Sequence, residues 1–429
     1  MTTSHLDPAS LHSSLRDPVL GSIGFLNEVM ARYPDAISFA PGAPYPGFLD
    51  GIDTERYTRR FLEHLADEQR LGPVKARRLL FEYGPSRGLI NGVVAGALRR
   101  DHGIDAAPET LVITVGAQEA LFLVLRALFP TSAEQLAVAV PCFPGVVGAA
   151  RLLGIGLVGV RETADGIDLD ALEAACRAAR HAGRPIRACY VAPDFANPGG
   201  SRMSPESRHQ LLRLATREDF LLLEDNVYGF TAASGAGLPP LKALDSEQRV
   251  IHIGTFAKVC FPGARVGYVV ADQPVGARRT LADELAALKS MVTVNTSPLA
   301  QAVIGGMLLE HGGSLARLGR AKSALYQRNL TLLCAALERH LGAGEATGVT
   351  WNRPEGGFFV RVNLPVPANE ALLEISAARH GVLWTPMSHF HLDDTGDTQL
   401  RLSCSYLDTE EIETGVSRFA AFLTQEIGS

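Results

Sequence analysis

Seven short apolar runs punctuate the chain, at 111–114, 136–140, 157–160, 187–191, 220–223, 250–253 and 266–270. Most are separated by stretches whose apolar positions recur at helical spacing, such as 119–128, 169–182 and 205–216. Val, Ile and Leu runs without polar alternation suit strands covered on both faces, and a helix between successive strands suits a parallel crossover. The pattern predicts a large α/β domain over residues 51–305, built on a seven-stranded, mostly parallel sheet.

The rhythm then changes. Long helical patterns at 298–309 and 315–340 lead to strands at 357–362 and 400–404, with helices around 370–380 and 410–425. Residues 306–429 therefore read as a smaller α+β domain. Residues 1–50 read as an N-terminal arm that completes this smaller domain. The arm carries an apolar segment at 19–30, suited to a docking helix, and a strand at 37–44 that runs into a Pro/Gly loop. In that loop Gly42 lets a backbone approach a ligand closely. Residues 342–348 are glycine-rich, but their spacing is wrong for a dinucleotide loop and they read as a turn.

Composition narrows the function classes. The 429 residues are 46% hydrophobic and 20% charged, ordinary for a globular protein, and the net charge of −6 comes without a basic run that could track a phosphate backbone. A nucleic-acid partner is not expected. Six cysteines are scattered without a C-x-x-C pair, which suits reduced thiols rather than zinc ligands or a disulfide framework. No signal-peptide core or membrane-length apolar stretch occurs, so the expected location is the cytoplasm, with no membrane partner.

In a parallel α/β sheet ligands sit beyond the carboxyl ends of the strands. After the first run, Val115-Gly116-Ala117-Gln118-Glu119 is a small-residue turn opening a helix, whose free N–H groups can hold an anion. After the second, Pro141-Cys142-Phe143-Pro144-Gly145 places one aromatic ring, fit for stacking on a planar ligand or for core packing. Asn197 follows the 187–191 run in a Pro/Gly turn, and Leu222-Leu223-Glu224-Asp225-Asn226-Val227-Tyr228 ends an apolar strand on two carboxylates and a tyrosine. A carboxylate at that depth needs a cation or strong donors. Lys258 closes the series in Thr255-Phe256-Ala257-Lys258-Val259-Cys260-Phe261-Pro262-Gly263-Ala264-Arg265. Alone it would be a strand-end lysine reaching for water. An anion cradle, an aromatic plate, a buried acid, oxygen-directed donors, a lysine and an arginine together match the needs of pyridoxal 5′-phosphate.

On these motifs the chain resembles the class I/II aminotransferase family of fold-type I pyridoxal-phosphate enzymes, in order and over nearly its whole length. The Lys-x6-Arg spacing is nearest the aminoadipate, kynurenine and aromatic-type branch. The resemblance implies that Lys258 takes the cofactor aldehyde, Asp225 faces the pyridine nitrogen, Tyr228 and Asn197 hold the ring oxygen, and Phe143 stacks on the ring. It gives the phosphate to Gly116, Ala117, Gln118, Thr255 and Arg265, together with Tyr83 from a neighbouring subunit, so that a homodimer with shared sites is implied. Arg401, in Leu400-Arg401-Leu402-Ser403, matches the arginine that clamps the substrate carboxylate, with Gly42 and Asn197 beside the substrate. The expected activity is ping-pong transfer of an amino group between an L-amino acid and a 2-oxo acid. An apolar or aromatic substrate is suggested by Phe25, Tyr45 and Phe48, and the Ala-, Gly- and Arg-rich composition fits a place in specialised biosynthesis. The alternatives are elimination, replacement or an oxidase-like reaction on the same site; a silent binding module is disfavoured by the intact Lys258, Asp225 and Arg401. The chain departs from the family pattern at Phe143, at Thr255, at Asn197-Pro198-Gly199-Gly200 in place of Asn-Pro-Thr-Gly, and at Met387-Ser388-His389-Phe390.

Overall fold

All seven apolar runs become strands of one sheet. A computed structural model describes residues 6–68, 70–342 and 348–428. The strands are β1 (Leu111–Thr114), β2 (Gln135–Val140), β3 (Gly156–Thr163), β4 (Gly166–Ile167), β5 (Ile186–Val191), β6 (Leu221–Asp225), β7 (Val250–Thr255) and β8 (Gly267–Val270), ordered β1-β8-β7-β6-β5-β2-β3-β4. The neighbours from β7 through β3 are parallel, whereas β8 runs antiparallel to both β1 and β7. The eighth strand, β4, is a two-residue return antiparallel to β3 and is too short to carry a periodicity. Strand order reverses at the β2–β5 junction, which opens the crevice where a ligand sits in such sheets.

Helices cover the sheet because each buries one apolar stripe. Labelled here are α1 (Val19–Arg32), α2 (Gly116–Leu128), α3 (Leu169–His181), α4 (Pro205–Glu218), α5 (Pro298–Glu310), α6 (Leu315–Leu341), α7 (Glu370–His380) and α8 (Thr409–Glu426). Local chemistry fixes their starts: Asp168 and Ser204 accept from the first-turn N–H groups of α3 and α4, and Asp408 and Glu411 form a reciprocal capping box on α8. On one face of the sheet Val112, Leu136, Leu223 and Ile253 meet Leu121, Val124 and Leu125 of α2. On the other, Cys189 and Leu222 meet Leu172 of α3 and Leu211 of α4.

A second, antiparallel sheet holds β9 (Thr350–Trp351), β10 (Phe359–Asn363), β11 (Thr385–Pro386) and β12 (Gln399–Ser403) in the order β9-β10-β12-β11. Its core joins Val29 of α1, Phe39, Trp384 and Phe419 of α8. The 27-residue α6 spans both cores, with Leu315 and Leu318 packed beside β1 and β8 and Leu330 and Leu333 beneath the second sheet. The strand expected to open the 37–44 stretch is Ile37–Ser38, which lies parallel to Val382–Leu383, with the Phe39 amide donating to the Leu383 carbonyl before the Pro/Gly loop begins. Beyond it the backbone turns its carbonyls toward buried cations instead. Of the glycine-rich turn at 342–348, residues 343–347 lie outside the described residues.

The six cysteines are free thiols, five of them buried. Among the described residues no helix is long and apolar enough to cross a membrane, and no His, Cys, Asp and Glu cluster could hold a metal ion.

Candidate active site

The crevice beyond the strand ends opens into a cavity of about 550 Å³. Gly42, Ala117, Gln118, Phe143, Asn197, Asp225, Tyr228, Thr255, Lys258, Arg265 and Arg401 all line it. Sequence positions 42 to 401 thus converge because each follows the carboxyl end of a strand or faces one from the second sheet.

Strand alternation separates the two carboxylates that end β6. Glu224 turns into the core, where its oxygens accept from the Leu241 and Lys242 amides and pair with His252 Nδ1 at 2.7 Å. Its partner is therefore a histidine and two backbone amides rather than the arginine such a residue commonly takes. Asp225 turns into the cavity. Its Oδ2 accepts from the Tyr190 hydroxyl at 2.6 Å, while Oδ1 is buried without a partner. Burial raises the Asp225 carboxyl to about 6. A buried acceptor left open is costly, and it is the complement of a ring N–H⁺.

Lys258 follows β7. Its Nζ donates to the Gly42 carbonyl at 2.6 Å, and burial, with the positive charges of Arg401 and Arg265, lowers it from the usual 10.5 to about 8. An amine so placed spends a useful fraction of its time neutral near physiological pH. Arg265 adopts a left-handed backbone and lies against the start of α2, so close that a Cβ on Gly116 would meet its Nη2 at 2.5 Å. Gly116, itself at φ +74°, is required here on both counts. Helix N-terminus and guanidinium together make the anion end of the cavity.

Arg401 comes from β12. Its guanidinium lies between the rings of Phe359 and Phe390, 4.2 and 4.8 Å from their centroids. Nη1 donates to Asn197 Oδ1 at 2.7 Å, Nη2 donates to the Ala40 carbonyl at 2.7 Å, and Nε is buried without a partner. Burial lowers it to about 10, which leaves it a cation at neutral pH. Two flat faces and a planar fork hold the orientation that a carboxylate needs.

The residues fit pyridoxal phosphate: a lysine of lowered proton affinity, an acid with one open oxygen, an anion cradle and an aromatic ring line one space. Tyr83, expected at the phosphate of a neighbouring subunit, does not line the cavity of its own chain and is 90% exposed. One expectation fares differently: Tyr45 and Phe48 do not line the cavity but pack with Tyr326 and Phe230 in an aromatic cluster beside it. Sequence reasoning passed over Tyr190, Thr385 and Phe359, while Phe390 stood in the stretch 387–390 read as bordering the substrate pocket. Tyr190 left a trace, as a hydroxyl inside the mainly apolar strand Ile186–Val191.

The unusual Gly199 has a structural reason. Glu162, at the end of β3, is buried beneath the Asn197 turn, and its Oε1 accepts from Ser201 Oγ at 2.7 Å. A Cβ on Gly199 would overlap Glu162 Oε2. The carboxyl group thus fills the space that a threonine side chain at 199 would need, and burial raises it to about 7.

Comparison with known proteins agrees with this geometry. Residues 57–419 match the family described as aminotransferase class I and II. An (S)-3,5-dihydroxyphenylglycine transaminase of Amycolatopsis orientalis is 45% identical over 99% of this chain and 96% of its own. Aromatic-amino-acid aminotransferase 1 of Thermococcus litoralis is 29% identical over 92% and 89%. Among solved structures, a kynurenine aminotransferase of Pyrococcus horikoshii superposes with a TM-score of 0.83 at 26% identity, covering 98% of each chain. The chain belongs to the class I and II aminotransferases, and it is an aminotransferase of fold type I.

Proposed function

We propose that this aminotransferase acts on an aromatic L-amino acid, with a 2-oxo acid as the second substrate in a ping-pong cycle. The observation that carries the site assignment is the buried, open Oδ1 of Asp225 in one cavity with Lys258 and Arg401. The aromatic class is supported by the side-chain end of the cavity, where Met30, Ala43, Val227 and Phe390 are apolar, and by the names of the Amycolatopsis and Thermococcus relatives.

When bound, the cofactor supplies an electron-withdrawing pyridinium that acidifies the substrate Cα–H. Asp225 keeps the ring nitrogen protonated, and Tyr190 holds Asp225 in place through its hydroxyl. Asn197 and Tyr228 would donate to the ring oxygen, and Phe143 would cover the ring. Gly116, Ala117, Gln118, Thr255 and Arg265 would hold the phosphate. Arg401 binds the substrate carboxylate and fixes which Cα bond faces Lys258. Lys258 Nζ, neutral for part of the time at pH 7, takes up the proton that leaves Cα. Gly42 offers its carbonyl to Lys258 and shapes the floor beneath the substrate.

The same reading gives a homodimer. Gly84 lies beside Asn295 and Pro298, and the two segments that meet there carry the exposed apolar side chains Phe81, Tyr83, Met291, Val294 and Leu299. A second copy would cover this patch, and Tyr83 would extend the partner's phosphate site.

The test is to mix the cofactor-loaded protein with single amino acids and follow both its visible spectrum and 2-oxo acid release. Conversion to the pyridoxamine form with one equivalent of 2-oxo acid, fastest for aromatic amino acids, is expected. An elimination product without that conversion would reject transamination as the main reaction.

A further inference from the structure

Among the described polar side chains that line the cavity, Thr385 braces Arg401 by accepting from its Nη2 at 3.3 Å, and His389 is left without a part in holding the cofactor or the substrate carboxylate. His389 lies in the short turn Met387–Phe390 that follows β11, and it lines the cavity next to Phe390, the ring on which Arg401 rests. That turn is pinned, since the Phe390 carbonyl accepts from the Cys142 amide at 2.7 Å. His389 therefore sits where the side chain of a substrate held by Arg401 must pass.

The imidazole is ordered by packing rather than by hydrogen bonds. Its ring tilts against Phe25 of α1 at 5.3 Å between centroids, and its Nε2 is buried without a hydrogen-bond partner, with Glu370 Oε1 at 3.5 Å. Burial lowers its proton affinity, with Glu370 acting weakly against this, so the ring is neutral at pH 7. A neutral imidazole offers one donor and one acceptor. Nε2 is buried beside Glu370, so Nδ1 is the nitrogen left for the substrate, and a hydroxyl suits it in either tautomer because a hydroxyl both donates and accepts. The position does not suit a second carboxylate: among the described residues that line the cavity the cations are Lys258, Arg265 and Arg401, and each already has a part.

We propose that His389 is a specificity residue that hydrogen-bonds a hydroxyl group on the aromatic ring of the substrate. This rests on the aromatic aminotransferase reading and names the side-chain class within it: a ring-hydroxylated aromatic amino acid is preferred to its unsubstituted counterpart.

The experiment compares wild type, His389→Leu and His389→Gln. Half-reaction kcat/KM is measured for matched pairs that differ only in the hydroxyl, 3-hydroxyphenylglycine against phenylglycine and tyrosine against phenylalanine. Binding of the unreactive acids 3-hydroxyphenylacetate and phenylacetate is read in parallel from the visible band of the loaded protein. We expect the preference for the hydroxylated member of at least one pair, and of the acid pair, to fall about tenfold in His389→Leu, the size of one net hydrogen bond. Partial return is expected in His389→Gln, which keeps a donor and an acceptor. An unchanged ratio in His389→Leu, or an equal loss for both members of every pair, overturns the assignment. If wild type releases no 2-oxo acid from any aromatic amino acid, the substrate reading falls, while the acid pair still decides the role of His389. The visible band and the Gln variant report whether the fold survives.

Discussion

Replacing Lys258 by methionine should make the cofactor-free protein more stable at neutral pH. Methionine nearly conserves volume and adds no polar group, so the change removes a buried ammonium and little else. The fall in its proton affinity from 10.5 to about 8 measures how poorly the fold tolerates the charge. At about 1.4 kcal/mol per tenfold change, this is a penalty of about 3 kcal/mol. Against it stands the bond from Nζ to the Gly42 carbonyl, whose loss costs about 1–2 kcal/mol. The variant should gain about 1–2 kcal/mol at pH 7. The sign then reverses the usual intuition about alkali. Folded wild type sheds the proton at about 8 and unfolded wild type at 10.5, so in between the unfolded chain binds more protons and this lysine's penalty fades. The advantage of the methionine variant should therefore shrink steadily from pH 8 to 10. Cys142, Cys189 and Cys404, whose thiols burial pushes up, weaken both proteins alike in alkali, so the difference between them is the quantity to read. Urea unfolding at one fixed protein concentration measures it, because association adds to apparent stability. A variant less stable than wild type at pH 7, or a difference flat across the range, would refute the reasoning.

Two further outcomes follow from the second sheet and from the turn under it. Arg401→Lys keeps a cation but loses the planar fork between Phe359 and Phe390, and should lower kcat/KM for amino acids by about a hundredfold while weakening spectroscopic binding of simple carboxylic acids in parallel; unaltered acid binding would remove Arg401 from the carboxylate site. Gly199→Thr should cost about 1–3 kcal/mol through overlap with Glu162, and Glu162→Ala should relieve it in the double variant. Strictly additive urea stabilities would mean that the two positions do not compete for space.

The parallel sheet was legible because its longer strands are mainly apolar runs, and the convergence of Lys258, Asp225 and Asn197 on one cavity was legible because such a sheet places the residues that follow those runs together. Their roles were legible from the combination of motifs, not from position alone. What escaped depends on groups that a sequence does not display. The carbonyls of Ala40, Gly42 and Ala43 receive Arg401, Lys258 and Ser405, so the Pro/Gly loop after the strand is a row of acceptors for side chains. Phe359 and Phe390 are ordinary core residues by pattern, and only the crossing of β10 with the turn after β11 places them on the two faces of one guanidinium. Tyr45 and Phe48 were misread for the converse reason: aromatic residues in a loop near the site found a better partner in Tyr326 of α6 than in the cavity.

The interlock of Glu162 and Gly199 also bears on how such a chain can change over generations. Two side chains contend for one volume beneath the Asn197 turn: threonine at 199 would force the Glu162 carboxyl to swing away and give up its bond from Ser201, so each residue makes the other costly. A small residue at both positions avoids that conflict but leaves a void beneath the turn. Residues at 162 and 199 should therefore change as a pair among relatives, and grafting either one alone into another member of the family should disturb the asparagine turn there.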